Sequence, residues 1–450
     1  MSHTRSPDAG ASAAGTALPD GLSGLPNGLG WLVADRHLAV RLLTGDRLGV
    51  LEPGPVMADL AARLPGEARP LARELTSFAE RIMLQAGPAR HAELRKAFGG
   101  FFDADAVKAV TPFMGSAAEQ VVRPFAGAGG GEFMTAVAFP YAVRVGARLV
   151  GVTDDDYRRL HKLSQQVALV AYAARLKDPE EAVRAGHAAL ARVRETLAAA
   201  RPAAPPGSVL GEWNAGAIGN LCDADIEANA VMLVQASLET VAGMLGNAAV
   251  RILGAPGALA DPGRLDALLD DALREEPPLK TLERVVREPF TVDGHEFRRG
   301  QVVSVRVADA NRLDDDPVAG RALFSFGWGA YRCLGARLAR IQALELFGAL
   351  HRAAPDAALA GEEVERVRHI RFAMPRRLRV VCPPPRTDRD GLTRALCEAL
   401  DEHDADRPLT SLEREVALVV LAERGMAGPE DPRELTTIGE WVTWATSAHG

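Results

Sequence analysis

Apolar residues recur at helical spacing over most of this chain and alternate over only a little of it. The pattern predicts a mainly α protein with a small β region. Residues 30–50 (GWLVADRHLAVRLLTGDRLGV) give a short apolar run, then helical periodicity, then a turn at Gly45-Asp46, which reads as a strand feeding a helix. Pro53, Pro55, Pro65 and Pro70 cut the next segment into expected loops and short helices. Helical runs follow from 103 to 200, with Gly- and Pro-containing breaks at 126–131 and 201–207. Residues 223–252 are apolar on every side and predict a buried helix with Asp223 as its N-cap. Alternation about Asp293-Gly294 predicts a β-hairpin, and 369–382 a closing strand and turn. PPPRTDRDG (383–391) is a linker by composition, and three amphipathic pieces follow it. Residues 1–28, rich in Ser, Gly, Ala and Pro, read as a disordered leader without the apolar core of a signal peptide.

Composition narrows the function classes. A length of 450 residues allows one large domain or two, and 47% hydrophobic with 25% charged residues is ordinary for a globular chain. A net charge of −7 offers no nucleic-acid footprint, and no uninterrupted apolar run reaches the length of a membrane span. Cys222, Cys333, Cys382 and Cys397 are far apart and fit neither a zinc pattern nor a disulfide framework, which suits a reducing cytoplasm.

Three stretches carry candidate chemistry. In FSFGWGAYRCLGARLAR (324–340), Cys333 sits in a Gly-rich, aromatic-bearing loop just ahead of a helix. Free N–H groups and the positive end of a helix dipole stabilise a thiolate there, as metal ligand or nucleophile. His91 and Arg95 are spaced i and i+4, so one helix face presents two donors that can clamp a carboxylate pair or else form a solvated charged face. Within the buried helix, Gln235, Ser237, Glu239 and Thr240 must be satisfied at a site or in a network joining helices, since each unpaired buried polar group costs about 1–3 kcal/mol. His161 and His187 read as surface residues.

Phe326, Gly329, Cys333 and Gly335 fill the spacing F-x-x-G-x-x-x-C-x-G, which resembles the haem-binding loop of the cytochrome P-450 family. Other motifs follow in consistent order over 30–382. His91 and Arg95 match H-x-x-x-R, Ala236–Thr240 resembles A-G-x-[D/E]-T with Ser237 in place of Gly, and Asp271 with Arg274 resembles E-x-x-R with Asp for Glu. The resemblance implies haem b (iron protoporphyrin IX) with Cys333 as its axial thiolate, and Phe326, Gly329 and Gly335 shaping the loop. It implies His91, Arg95 and Arg284 on the propionates, and Glu239 and Thr240 passing protons to oxygen. Tyr331 stands where the family often has a cationic propionate contact, and Ser237 is expected to narrow the oxygen groove. The segment from Asn311 to Cys333 looks short, leaving Arg312 and Arg321 as candidates for the bracing arginine.

The tail resembles an acyl carrier protein, with a docking or dimerising helical appendage as the competing reading. Thr410-Ser411-Leu412 opens its middle helix, so Ser411 would carry phosphopantetheine, or would merely cap the helix with Glu415 supporting the first turn. The expected organisation is leader 1–28, haem domain 29–383 of cytochrome P-450 fold with a small β region, linker 384–391, and carrier-like helical appendage 392–450. The expected activity is a bacterial haem-thiolate monooxygenase of natural-product biosynthesis, oxidising a small-molecule or carrier-bound substrate with electrons from a ferredoxin-type donor and its reductase. Arg332, Arg337 and Arg340 would contribute to the docking face. The competing readings are a non-catalytic relative acting as a scaffold, and a haem enzyme of other chemistry.

Overall fold

The computed structural model describes residues 18–448 apart from 27, 171–176, 313–322, 362–363, 384–388, 403 and 425. Helices α1 (Arg36–Thr44), α2 (Pro53–Arg63), α3 (Ala68–Glu80) and α4 (Pro88–Gly99) lead into α5 (Ala104–Gly127), α6 (Phe139–Val150), α7 (Asp154–Leu169), α8 (Pro179–Ala200) and α9 (Val209–Asn214). Then come α10 (Asp223–Leu253), α11 (Pro262–Glu275), α12 (Val307–Ala310) and α13 (Ala336–Ala353). The last three are α14 (Arg389–Leu400), α15 (Ser411–Glu423) and α16 (Ile438–Ala448). Apolar on nearly all sides, α10 packs against α6, α7 and α11 and sits in the main helical core. It is the one described helix long and apolar enough to cross a membrane, and 67% of its most apolar window is buried inside the protein.

A five-stranded sheet gathers a second, smaller core. Its order is Leu22–Gly24, Gly30–Val33, Val302–Arg306, Thr281–Val286 and Leu48–Gly49. Gly30–Val33 runs parallel to Val302–Arg306 and the other pairings are antiparallel. Val33, Leu42, Phe297, Val303 and Phe324 fill its buried face. The hairpin expected about Asp293-Gly294 joins Phe290–Val292 to His295–Phe297, and both turn residues have positive φ (49° and 77°), as a two-residue turn requires.

Several expectations change. Residues 53–80 form two full helices, because the prolines of α2 lie in its first turn, where no N–H is needed, and Pro65 falls between helices. The leader of 1–28 is too long: Leu22–Gly24 pairs with Trp31–Val33 and buries Leu22, while 1–17 and 27 lie outside the described residues. Cys222, not Asp223, caps α10, its amide donating to the Asp225 carboxylate. The linker of 384–391 is entered by α14 at Arg389, and 384–388 are not among the described residues.

The three C-terminal helices close over a third core of Leu396, Leu409, Leu421, Ile438, Trp441 and Ala445. Trp441 is fully buried, and its indole N–H donates to the Leu435 carbonyl at 2.9 Å. Charge is divided as sharply as packing. Residues 392–450 hold twelve carboxylates against five arginines and no lysine, so they carry the whole net charge of −7 and the preceding residues balance.

Candidate functional site

Cys333 lies in the turn ahead of α13, between short helical turns and the helix start. Gly327 and Gly329 take φ of 74° and 67° there. At Gly329 a Cβ would come within 2.4 Å of the Leu43 carbonyl oxygen, so only glycine lets the loop lie against the end of α1. The Cys333 amide donates to the Phe326 carbonyl at 2.7 Å, and the Phe326 ring packs on the main core. The Cys333 side chain is open to solvent, yet protein surrounds the sulfur deeply. Burial therefore raises the thiol pKa, opposed by the Gly335 amide donating to sulfur and by the charges of Arg95 and Arg332.

Cationic groups gather beside it. On α4, His91 is buried, and its ring lies 4.1 Å from the Tyr331 ring. Arg284, from the strand Thr281–Val286, sets its guanidinium 5.0 Å over the other partner of this stack, Tyr331. Arg95 donates to the Arg332 carbonyl at 2.5 Å. Burial lowers the pKa of His91, with Arg95 and Arg284 adding like-charge repulsion, and burial likewise lowers those of Arg95 and Arg284. Among the described residues none of the three has a carboxylate partner. The arrangement can hold a soft metal at sulfur and a pair of carboxylates on the cations.

The polar group on α10 is built otherwise. Thr240 donates to the Ala236 carbonyl, as a mid-helix threonine can. Glu239 accepts from Gln165 at 2.9 Å and lies 2.9 Å from His161 Nε2, both on α7. Burial would raise the Glu239 pKa, but the His161 and Gln165 contacts outweigh it and bring it below the ordinary value. His161 is thus no surface residue: its side chain is 12% exposed. His187, the other such assignment, is half-buried against Glu74 at 2.8 Å. Ser237 lies 2.7 Å from the Tyr157 hydroxyl and donates to the Leu233 carbonyl, so the hydroxyl is committed to α7 and not to a groove.

The expected Asp271–Arg274 pair does not form. Asp is one methylene shorter than Glu, and Arg274 Nη1 is left buried without a hydrogen-bond partner. Asn311 does the bracing. Its amide reaches the carbonyls of Leu273 and Arg274 and the Ser325 hydroxyl, and its oxygen accepts from Phe324 N at 2.7 Å. Arg312 is exposed and pairs with Asp309, and Arg321 lies outside the described residues. Arg340 is taken up by Asp266 and Asp270 of α11, leaving Arg332 and Arg337 exposed on that face. Sequence reasoning passed over Asn311 and Gln165; for Gln165 the signal was its i+4 spacing from His161.

In the tail, Thr410 rather than Ser411 caps α15, in a reciprocal box with Glu413 rather than Glu415. Ser411 is therefore exposed as the first helical residue, its hydroxyl without a capping role.

No family model matches the chain. Cytochrome P450-terp of Pseudomonas sp is 28% identical over 236 residues, 47% of this chain and 55% of that protein. The 20-oxo-5-O-mycaminosyltylactone 23-monooxygenase of Streptomyces fradiae is 32% identical over 145 residues, 29% of this chain and 34% of that protein. The likeness thus spans about half the length of the first relative and a third of the second. Among solved structures, P450BioI in complex with an acyl carrier protein bearing hexadec-9Z-enoic acid superposes with a TM-score of 0.64 at 22% identity, covering 78% of this chain and 92% of that one. The chain has the cytochrome P450 fold. Its relatives and its structural neighbours together support the cytochrome P450 family, and that family implies a haem.

Proposed function

We propose that the chain is a haem-thiolate monooxygenase acting on a small molecule in bacterial natural-product biosynthesis. The observation that carries this reading is the gathering near Cys333 of three basic side chains, two guanidinium groups and a buried imidazole, that no carboxylate among the described residues answers. Arg95 and Arg284 are guanidinium groups without anions and His91 is a buried donor beside them, and a haem would bring both missing partners: a metal for the sulfur and two propionates for His91, Arg95 and Arg284. The residues present fit the group. When bound there, the haem supplies oxygen activation, with thiolate donation from Cys333 favouring O–O cleavage.

The protein's own part is positioning and proton handling. Gly329 lets the loop lie against the end of α1, Gly335 lies beside the sulfur, where a Cβ would come within 3.8 Å of it, and Phe326 seats the loop on the core. Tyr331, between His91 and Arg284, orders the two cations by stacking and donates its hydroxyl to the Ala86 carbonyl at 3.3 Å. Glu239 would hold a proton-accepting carboxylate one residue ahead of Thr240, and the two together would move protons to the reacting oxygen. Electrons would come from a ferredoxin-type donor and its reductase, with exposed Arg332 and Arg337 on the docking face. The compartment is the cytoplasm in this reading.

The narrower version has a carrier-bound substrate. Its support is the appendage, a three-helix unit with its own core, and a structural neighbour solved with an acyl carrier protein. Ser411 as a phosphopantetheine site has only its exposure and position in its favour, and an intact mass unchanged by a phosphopantetheinyl transferase with coenzyme A would remove it. The division of the chain near 384–391 belongs to the same reading and rests on the separate cores.

The test is the absorption spectrum of the reduced protein under carbon monoxide. A red-shifted Soret band that disappears in Cys333→Ala is expected. Absence of haem after reconstitution would overturn the enzyme reading and favour the scaffold.

A further inference from the structure

Along α7, Tyr157, His161 and Gln165 follow at successive turns and form a single stripe. All three touch the stretch of α10 that ends at Thr240. The Tyr157 hydroxyl lies 2.7 Å from the Ser237 hydroxyl and 3.3 Å from the Val234 carbonyl. From the opposite direction, Gln235 donates to the Ser164 carbonyl at 2.7 Å. His161 and Gln165 then take one oxygen each of the Glu239 carboxylate. A carboxylate gripped at both oxygens from one neighbouring helix has its rotamer and its plane fixed by that helix.

We propose that His161 and Gln165 are positioning residues for Glu239, setting the orientation in which this carboxylate serves Thr240. The proposal rests on the reading of Glu239 and Thr240 as the proton-delivering pair. Two features favour a positioning role over a simple strap between helices. The strap is already supplied by Tyr157–Ser237 and Gln235–Ser164, which need no charge. The second grip is also spent on an acid only 21% exposed, where desolvating a carboxylate is expensive and an apolar pair would hold the helices as well. Among the described residues the other titratable group facing Glu239 is Tyr157, whose pKa is raised first by burial and only secondarily by this carboxylate.

The test uses the full-length, haem-loaded protein and measures product formed per NADH consumed. The double variant His161→Ala, Gln165→Ala is expected to lower that coupling about tenfold or more, with substrate KM little changed, as misplacement of a reacting group does. His161→Gln, which keeps an N–H donor within reach, should restore most of it. Independently of turnover, 15N spectra of the resting protein should show a proton on His161 Nε2, and Glu239→Gln should shift that resonance. If the double variant only melts earlier and couples as wild type while Glu239→Gln uncouples, the positioning proposal falls and the proton-delivery reading stands. If Glu239→Gln and Thr240→Ala also leave coupling unchanged, the delivery reading is the one that fails.

Discussion

His91, Arg95 and Arg284 gather beside Cys333 without a carboxylate to answer them, whereas on α10 both Asp225 and Glu239 are met by donors on each side. Asp225 is the fuller case. It is buried, accepts from Arg81 at 2.8 Å, lies 2.6 Å from Arg90 and is touched by the Cys222 thiol. Burial would raise its pKa, yet the hydrogen bond from Arg90, then Cys222 and Arg81, hold it at about 2. The same chemistry is thus closed in one place and left open in the other. A folded chain tolerates paired buried charge because its costs are met internally, while unpaired cations point to an anion that the chain itself does not provide.

That contrast can be broken at either end. Arg284→Ala should act most strongly, since it removes a guanidinium from the open cluster. Haem affinity in a hemin titration is expected to fall by about 2–5 kcal/mol, with Arg95→Ala milder because Arg95 also ties the Arg332 carbonyl. Equal affinity in the Arg284 variant and wild type would mean that the cluster binds no propionate. At the closed end, Asp225→Asn should cost about 2 kcal/mol in denaturant unfolding at neutral pH. The folded pKa lies below the ordinary 3.8, so this stability is present above that value and is lost as pH falls toward 2. The difference between variant and wild type should therefore shrink over that window, and a constant difference would show that packing rather than charge is at stake. The smallest effect is expected for Asp271→Glu, which restores the missing methylene toward Arg274 Nη1 and should stabilise by about 1 kcal/mol. No gain in thermal melting would mean that Arg274 is out of reach of any residue at 271.

What could be read from the sequence, and what could not, follows from range. The i, i+4 spacing of His91 and Arg95 is local, and a helix there was bound to put both on one face. Thr240 reaching the Ala236 carbonyl is local too. His161 was misread as surface because helical periodicity gives faces without saying what each face meets, and its partner is 78 residues away. The prolines of 53–70 were misread because a proline that begins a helix and one that breaks it look alike until the phase is known. Asn311 escaped notice because its four contacts lie 13 to 38 residues off, joined only when the loop is folded. The Asp271–Arg274 spacing suggested a pair that one missing methylene withholds.

The concentration of the whole net charge in residues 392–450 has an electrical consequence. Residues 1–391 balance and 392–450 carry −7, so a basic surface attracts the appendage more than the rest of the chain. Approaching a basic surface, it turns its acidic end forward and arrives with the appendage leading. Salt shortens the range of this torque, to about 3 Å at 1 M, so the chain would tumble freely there and be steered in dilute buffer.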